Sequence, residues 1–452
     1  MTDARRALPS VTALLDSAAL QPLLDASPRG AVVDAIRGAL DDMRRGAMAM
    51  PSEPGAWAEL VSGAMATRAQ RSLRTVVNAT GVVLHTNLGR APLADAALAA
   101  VTDVARGYST LEYDLDAGAR GSRYRHCAAL LRELTGAEDA LVVNNCAGAL
   151  VLALNALSFR REAILSRGEL VEIGGSFRVH DLVERSGARL REVGATNRTH
   201  LADYERAISQ DSGVLLKVHR SNFSQSGFVA DVAVATLVPL ARAHDLPILH
   251  DLGSGLLIPL DQIGLSGEPT ARIALEAGAS VVMMSGDKLL GGPQCGILLG
   301  SAPLIDAMRA NPLARSYRVD KMTLAALEAT LALYRDPAQA LRDIPVLAML
   351  GETVPALAAR AERCVVALRA EGVVVSVTNS TATVGAGAFP DSVLPSIALA
   401  LPGAPDTWAA RLRAASTPVI GRTTDGRHLL DLRTVPDASC AALVDSVRSA
   451  HA

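Results

Sequence analysis

Between residues 140 and 300, short apolar runs stop abruptly at clusters of Gly, Ser, Asn, Asp and His, and stretches of helical composition follow them. The runs at 141–143, 162–166, 214–219, 246–249 and 281–284 predict strands, and the alternation adds a further strand near 189–193. The segment 270–277, TARIALEA, has helical composition and lies between the last two runs. Strand, helix and strand then form a crossover, so those two strands are expected to be parallel neighbours. Such alternation predicts an α/β fold with a mostly parallel sheet. Helices are also expected at 93–104, 151–157 and 323–335.

The flanks read differently. After Pro28, the positions Val32, Val33, Ile36, Leu40 and Met43 share one helical face, Gly46 is a candidate C-cap, and Pro51-Ser52-Glu53-Pro54 reads as a linker. From about residue 337 a new αβ unit is expected, with a long helix at 354–369, strands at 373–377, 384–387, 419–422 and 429–432, and a terminal helix. The expected organisation is a small helical domain at 1–70, a large α/β domain at 71–335 and a small C-terminal αβ domain at 336–452.

Composition narrows the class. The 452 residues are 50% hydrophobic, enough for a large core. The net charge of −2 gives no whole-chain signal for nucleic acid. Over residues 1–74, 9 arginines face 8 acids, so no basic run appears there either. The start, MTDARRALPS, has no signal-peptide apolar region, and no uncharged apolar run approaches the roughly 18 residues of a membrane span. Five cysteines lie scattered without a C-x-x-C pair and read as reduced thiols. A soluble cytoplasmic protein with no membrane partner and no metal site is expected.

Candidate chemistry gathers where the strands end, because ligands of open α/β sheets sit outside the carboxyl ends of the strands. The run 281–284 stops at Ser285-Gly286-Asp287-Lys288, followed by Leu289-Leu290-Gly291-Gly292-Pro293. Lys288 is the only lysine of that stretch in an arginine-rich chain, and a desolvated amine can form an imine where arginine cannot. The run 246–249 ends in His250-Asp251, so the crossover brings Asp251 to the same sheet edge. Pyridoxal phosphate needs such a pair, a carboxylate to keep the pyridine nitrogen protonated and a lysine to form the imine. A structural Asp–Lys ion pair is the plainer alternative. Asn145, Cys146, Ala147 and Gly148 stand at a strand-to-helix turn whose small residues leave backbone N–H groups open to a phosphate. Arg90 is a potential anion contact. The glycine- and arginine-rich stretch 114–125 fits either solvated surface or an anion-binding loop. Arg315 and Arg318 are three apart, so on a helix they share a face that is either solvated or an anion site. Ser285-x-x-Lys288 also matches the S-x-x-K of serine acyl enzymes, but that motif needs its serine opening a helix, and no K-T-G occurs.

The stretches NATGVVLHTNLGRAPL, GAEDALVVNN, SGDKLLGGPQCG, NPLARSYRVDK with TLAALEATL, and VIGR with LLDLRTV together resemble one family, the bacterial selenocysteine synthases or L-seryl-tRNA(Sec) selenium transferases. The resemblance runs from residue 75 nearly to the C-terminus, and the LPS near Leu8 fits the family's N-terminal module. Cys146 and Gly148 depart from the expected Asn and Ala, and His219-Arg220-Ser221-Asn222 replaces a more usual HTSN.

The resemblance implies a fold-type I pyridoxal phosphate enzyme that converts seryl-tRNA(Sec) to selenocysteinyl-tRNA(Sec) with selenophosphate, through loss of the β-hydroxyl to an aminoacrylyl ester. It implies a homo-oligomer, a decameric ring of dimers, with the N-terminal module gripping the tRNA. Lys288 matches the family's Schiff-base lysine, and Asp251 falls at the pyridinium partner's place. Arg90, Arg315 and Arg318 match the arginines that hold the selenium donor. His219, Asn222 and Ser285 are further expected cofactor contacts, with His219 a candidate to stack on the ring. The rival expectations are a small-molecule lyase on the same scaffold, such as an amino-sugar-acid ammonia lyase, and a non-catalytic RNA-binding relic of the fold.

Overall fold

The computed structural model describes residues 8–69, 71–173, 177–385 and 387–451, and its contacts divide the chain into two compact units, Met1–Thr75 and Val76–Ala452. The first unit carries the helices Val11–Leu15, Gln21–Ala26, Arg29–Arg44 and Pro54–Ala69. Val32, Ile36 and Leu40 recur at helical spacing and bury against Leu20, Trp57 and Val61, while Val33 and Met43 stay part-buried at the edge of the stripe. Gly46 closes Arg29–Arg44 as expected. It takes a φ of 73°, and the Ala47 amide donates back to the Asp42 carbonyl at 2.9 Å.

The second unit is built on a seven-stranded sheet of β1 (Asp139–Val143), β2 (Glu162–Ser166), β3 (Arg189–Val193), β4 (Ser212–Val218), β5 (Ile248–Gly253), β6 (Val281–Ser285) and β7 (Gly296–Gly300). Their order across the sheet is β1-β7-β6-β5-β4-β2-β3, and β7 alone runs antiparallel to both neighbours. The mostly parallel sheet expected from the alternating pattern is therefore present. Its inner strands β4 and β6 are buried along their whole length because both faces are covered, whereas the edge strand β3, RLREV, is mostly exposed. One face packs Leu215, Ile248, Val282 and Ile297. The other packs Leu216, Leu249, Met283 and Leu298 against the helix Cys146–Ser158.

Strand β5 differs from its expected bounds. It starts later and continues through the polar residues to Gly253, since backbone pairing (Val218 with Asp251, Asp251 with Met283) does not depend on apolar side chains. The expected strands at 373–377 and 384–387 form one strand, Ser376–Gly385, with the polar stretch 378–381 inside it, paired along its length with Val393–Leu401. The boundary expected at 335/336 is crossed by strand pairing. Val82–Leu84 is the edge strand of the five-stranded C-terminal sheet, beside Ser376–Gly385, and Val77–Asn78 pairs with Val419–Ile420.

Candidate active site

The turn that follows β6 is held from several sides before any ligand is considered. The Gly286 amide donates to the Cys295 carbonyl at 2.9 Å, the Gly292 amide to Gly286 at 2.8 Å, and the Leu289 amide to Ser254 at 3.0 Å. Tyr334 Oη donates to the Leu290 carbonyl at 2.8 Å. Gly291 has a φ of 72°, which suits glycine, and its missing side chain leaves room for Ile344. Ser285, Asp287 and Lys288 are all buried. No helix starts at Ser285, so the acyl-enzyme reading of S-x-x-K has no structural basis.

Around the Lys288 amine the chain places its smallest residues. A methyl on Gly387 would lie 2.6 Å from Nζ, and one on Gly253 would lie 3.7 Å from it. The same two positions fall 3.3 and 3.8 Å from Ser221 Oγ, a buried hydroxyl that the sequence argument passed over in favour of Asn222. The Asn222 side chain is exposed and donates to the Glu172 carbonyl at 2.8 Å, away from the lysine.

Parallel pairing of β5 and β6 sets Asp251 beside the lysine turn. Its side chain lies on the face that carries the helix Cys146–Ser158, and Cys146 Sγ donates to Asp251 Oδ1 at 3.5 Å. Burial pushes the Asp251 carboxyl up, against the opposing pull of the Lys288 ammonium, the Cys146 thiol and the Gly253 amide. Burial, with the neighbouring Asp251 charge, also drives the Cys146 thiol well above its ordinary value, so it stays a protonated donor. Ser285 pulls the other way on this thiol, lowering it against these effects.

The helix Cys146–Ser158 opens with Asn145 as its N-cap, whose side chain accepts from the Gly148 amide at 2.7 Å. The amides of Cys146 and Ala147 lie in the first turn, where a helix supplies no acceptor. A side chain on Gly148 would come within 3.0 Å of Asn144 Oδ1 and 3.4 Å of Tyr317, so the turn is closely packed.

The arginines divide into two kinds. Arg90, with a φ of 62°, points Nη1 at Asp287 Oδ2 at 2.8 Å, one residue before the lysine. Arg315 lies on the short helix Pro312–Ser316, which ends before Arg318. The shared helical face expected for Arg315 and Arg318 is therefore not formed. Arg318 instead bridges to Val143 at the end of β1, and the Asn144 amide donates to the Tyr317 carbonyl at 2.8 Å. Both arginines are exposed, and neither makes an ion pair among the described residues. The stretch 114–125 is a solvated hairpin whose cations are committed: Arg123 and Arg120 to Glu112, and Arg125 to Asp114.

His219 follows β4, and its amide donates to the Asp251 carbonyl at 2.8 Å. Its ring turns the other way, with Nε2 3.0 Å from Glu268 Oε1. A cavity of about 670 Å³ opens there, with Lys217, His219, His250 and Glu268 in its walls. Lys217 and His250 alternate with Val218 and Asp251 along β4 and β5, so this cavity lies across the sheet from the Asp251 carboxylate. Burial and the Lys217 ammonium push His250 down to about 3, leaving it neutral near pH 7.

Residues 76–436 match the family model for L-seryl-tRNA selenium transferase, and residues 5–44 match that for the selenocysteine synthase N terminus. The chain belongs to the L-seryl-tRNA selenium transferase family. L-seryl-tRNA(Sec) selenium transferase of Geobacter sulfurreducens is 48% identical, with 98% of both chains covered. That of Hyphomonas neptunium is 47% identical over 98% of each. That of Solidesulfovibrio magneticus is 49% identical over 96% of this chain and 95% of its own. A solved D-glucosaminate-6-phosphate ammonia-lyase, 21% identical, matches with a TM-score of 0.59 over 84% of this chain and 96% of that one, and so shares its fold. The architecture is that of fold-type I pyridoxal phosphate enzymes, and pyridoxal phosphate is the cofactor.

The residues present suit that cofactor. A buried carboxyl forced upward by desolvation would be relieved by a cationic ring nitrogen. The amine stands among glycines whose side chains would fill the space beside it. First-turn amides of a thirteen-residue helix suit a phosphate.

Proposed function

We infer that this chain converts L-seryl-tRNA(Sec) to L-selenocysteinyl-tRNA(Sec), with Lys288 and Asp251 as the residues that work on the cofactor. The observation that carries this reading is the pairing of β5 with β6, which sets the part-buried Asp251 and the buried Lys288 at one sheet edge in a chain of this family.

Bound pyridoxal phosphate supplies a carbonyl for an amine to attack and an electron sink for charge released at the seryl Cα. In this reading Asp251 holds a proton on the ring nitrogen. Asn145, Cys146, Ala147 and Gly148 hold the phosphate through the helix start, and Ser285 supports the Cys146 thiol. Lys288 would be the base that takes the Cα proton and then passes it to the β-hydroxyl, which leaves as water. Gly253 and Gly387, having no side chains, leave the space beside Nζ open for the cofactor.

The selenium donor is proposed to be selenophosphate, held by Arg315 and Arg318 with Arg90 behind them. The seryl carboxyl is esterified to tRNA and uncharged, so no guanidinium is needed for it. A phosphate-like anion is matched by planar guanidinium forks instead. The unit Met1–Thr75 is proposed to bind the tRNA, the chains to assemble as a ring of dimers, and the protein to work in the cytoplasm. These proposals rest on the family and on the absence, among the described residues, of any helix long and apolar enough to cross a membrane.

The test is an absorbance scan of the purified protein before and after borohydride, with peptide mapping of the reduced adduct. A band near about 420 nm that becomes fixed to Lys288 supports the assignment. A folded protein that takes up no pyridoxal phosphate, or carries it on another lysine, overturns it.

A further inference from the structure

The loop at 387–391 touches the Lys288 amine through Gly387, yet it belongs to the C-terminal part of the chain. Two side chains tie it down. Glu268 Oε2 accepts from the Phe389 amide at 3.2 Å, and Ser224 Oγ donates to Asp391 Oδ1 at 2.7 Å. The Glu268 side chain is only 2% exposed, and its other oxygen, Oε1, faces His219 Nε2 at 3.0 Å. His219 is fixed in turn, because its amide donates to the Asp251 carbonyl. One buried carboxylate thus joins the end of β4, which is bonded to the Asp251 strand, to the loop that presses on the lysine.

The loop does not hold this shape by local preference. Phe389 takes a φ of 48°, in the left-handed region that a side chain with a β-carbon avoids, and Gly387 has a φ of 77°. Phe389 is nonetheless buried at 5% exposure. A backbone held in a sparsely populated region needs neighbours that fix it, and Glu268 is the one that reaches the Phe389 amide. A buried carboxylate is costly unless its oxygens have partners. Oε2 has the Phe389 amide, while Oε1 stands 3.0 Å from His219 Nε2 without hydrogen-bond geometry, so the Phe389 amide is the contact that holds this carboxylate.

We propose that Glu268 is a positioning residue for Lys288, holding the loop at 387–391 against the amine and so fixing where Nζ stands relative to Asp251. The proposal rests on Lys288 being the lysine that carries the cofactor. Borohydride mapping of the wild-type protein tests that premise separately, before any variant is made.

The experiment uses the full-length holoprotein and its variants Glu268→Ala, Glu268→Gln and Ser224→Ala. It measures the dissociation constant for pyridoxal phosphate and the fraction absorbing near about 420 nm at fixed pH. Loss of a charge-assisted hydrogen bond predicts a rise in that constant of about tenfold for Glu268→Ala, with a smaller fraction in the band. Glu268→Gln keeps an oxygen for the Phe389 amide and is expected to recover most of the loss. Ser224→Ala, at an exposed position, is expected to shift both readouts in the same direction by less. If Glu268→Ala does not fold, Ser224→Ala decides: a weakened cofactor supports the latch and an unchanged one overturns it. Wild-type affinity and spectrum in a folded Glu268→Ala protein, or no recovery with Gln, also overturns it.

Discussion

The lysine turn and the arginine edge sit at the same end of the sheet and are built in opposite ways. From Ser285 to Gly296 nearly every residue is buried, backbone amides are tied across the turn, and Lys288 has one place to stand. Arg315 and Arg318 are exposed and make no ion pair among the described residues. The contrast separates two tasks. Groups that act on one carbon must be placed before the substrate arrives, because misplacement by about 1 Å costs orders of magnitude in rate. Groups that capture a mobile anion gain from staying in solvent, where their charge steers association.

Lys288→Ala breaks the first side of that contrast most completely. Loss of the band near about 420 nm and a fall in turnover of at least about a thousandfold are expected, checked by absorbance and by single-turnover conversion of seryl-tRNA. Asp251→Asn comes next, with a fall of about a hundredfold or more. It also carries a stability signature. Burial raises the Asp251 pKa, so the folded chain holds that proton more tightly than the unfolded one. The resulting cost to stability is absent below the ordinary aspartate value and grows as pH rises above it. Freed of cofactor, Asp251→Asn should therefore melt higher than wild type near pH 7, with the gap closing as pH falls towards about 4. Equal melting at both pH values would mean that the carboxylate is not strained by burial. On the other side, Arg315→Ala should leave the cofactor spectrum intact and raise the KM for the selenium donor about tenfold or more. Normal use of selenophosphate by that variant would remove Arg315 from the anion site.

The same contrast explains which parts of the molecule could be read from sequence. Strands β2 and β3 have the expected bounds; β2 is a buried apolar run, whereas β3, RLREV, is a mostly exposed edge strand placed by the alternation of elements around it. Asp251 and Lys288 were legible through the crossover rule, which needs only the order of elements. The Arg315–Arg318 relation was not, since Asn311 and Pro312 open a helix that stops at Ser316, and spacing alone does not say where a helix ends. Ser376–Gly385 read as two strands because its polar middle faces a partner, Val393–Leu401, more than ten residues on. Ser221, Gly387 and Glu268 were missed for a related reason. Each matters through contacts with residues far along the chain, and neither a buried serine nor a lone glutamate has a periodicity to betray it. His219 stood out in sequence, but its ring is engaged by Glu268.

Arg90 belongs to neither side cleanly, and this sets the smallest effect worth measuring. It is about a third exposed, like an anion-capturing group, yet it is paired with Asp287 at 2.8 Å, inside the lysine turn. A carboxylate so close to a guanidinium weakens its pull on a second anion and occupies one arm of the fork. Asp287→Asn removes that competing charge while keeping an oxygen that can accept from Arg90. The KM for the selenium donor should then fall by about two- to fivefold, the range of a partly screened ion pair. The gain should shrink as salt is raised, because the interaction it reports is electrostatic and reaches solvent. A rise in KM would reverse the assignment, since it would mean that Asp287 aims Arg90 at the donor. Arg90 would then be part of the fixed turn, and the exposed edge would consist of Arg315 and Arg318 alone.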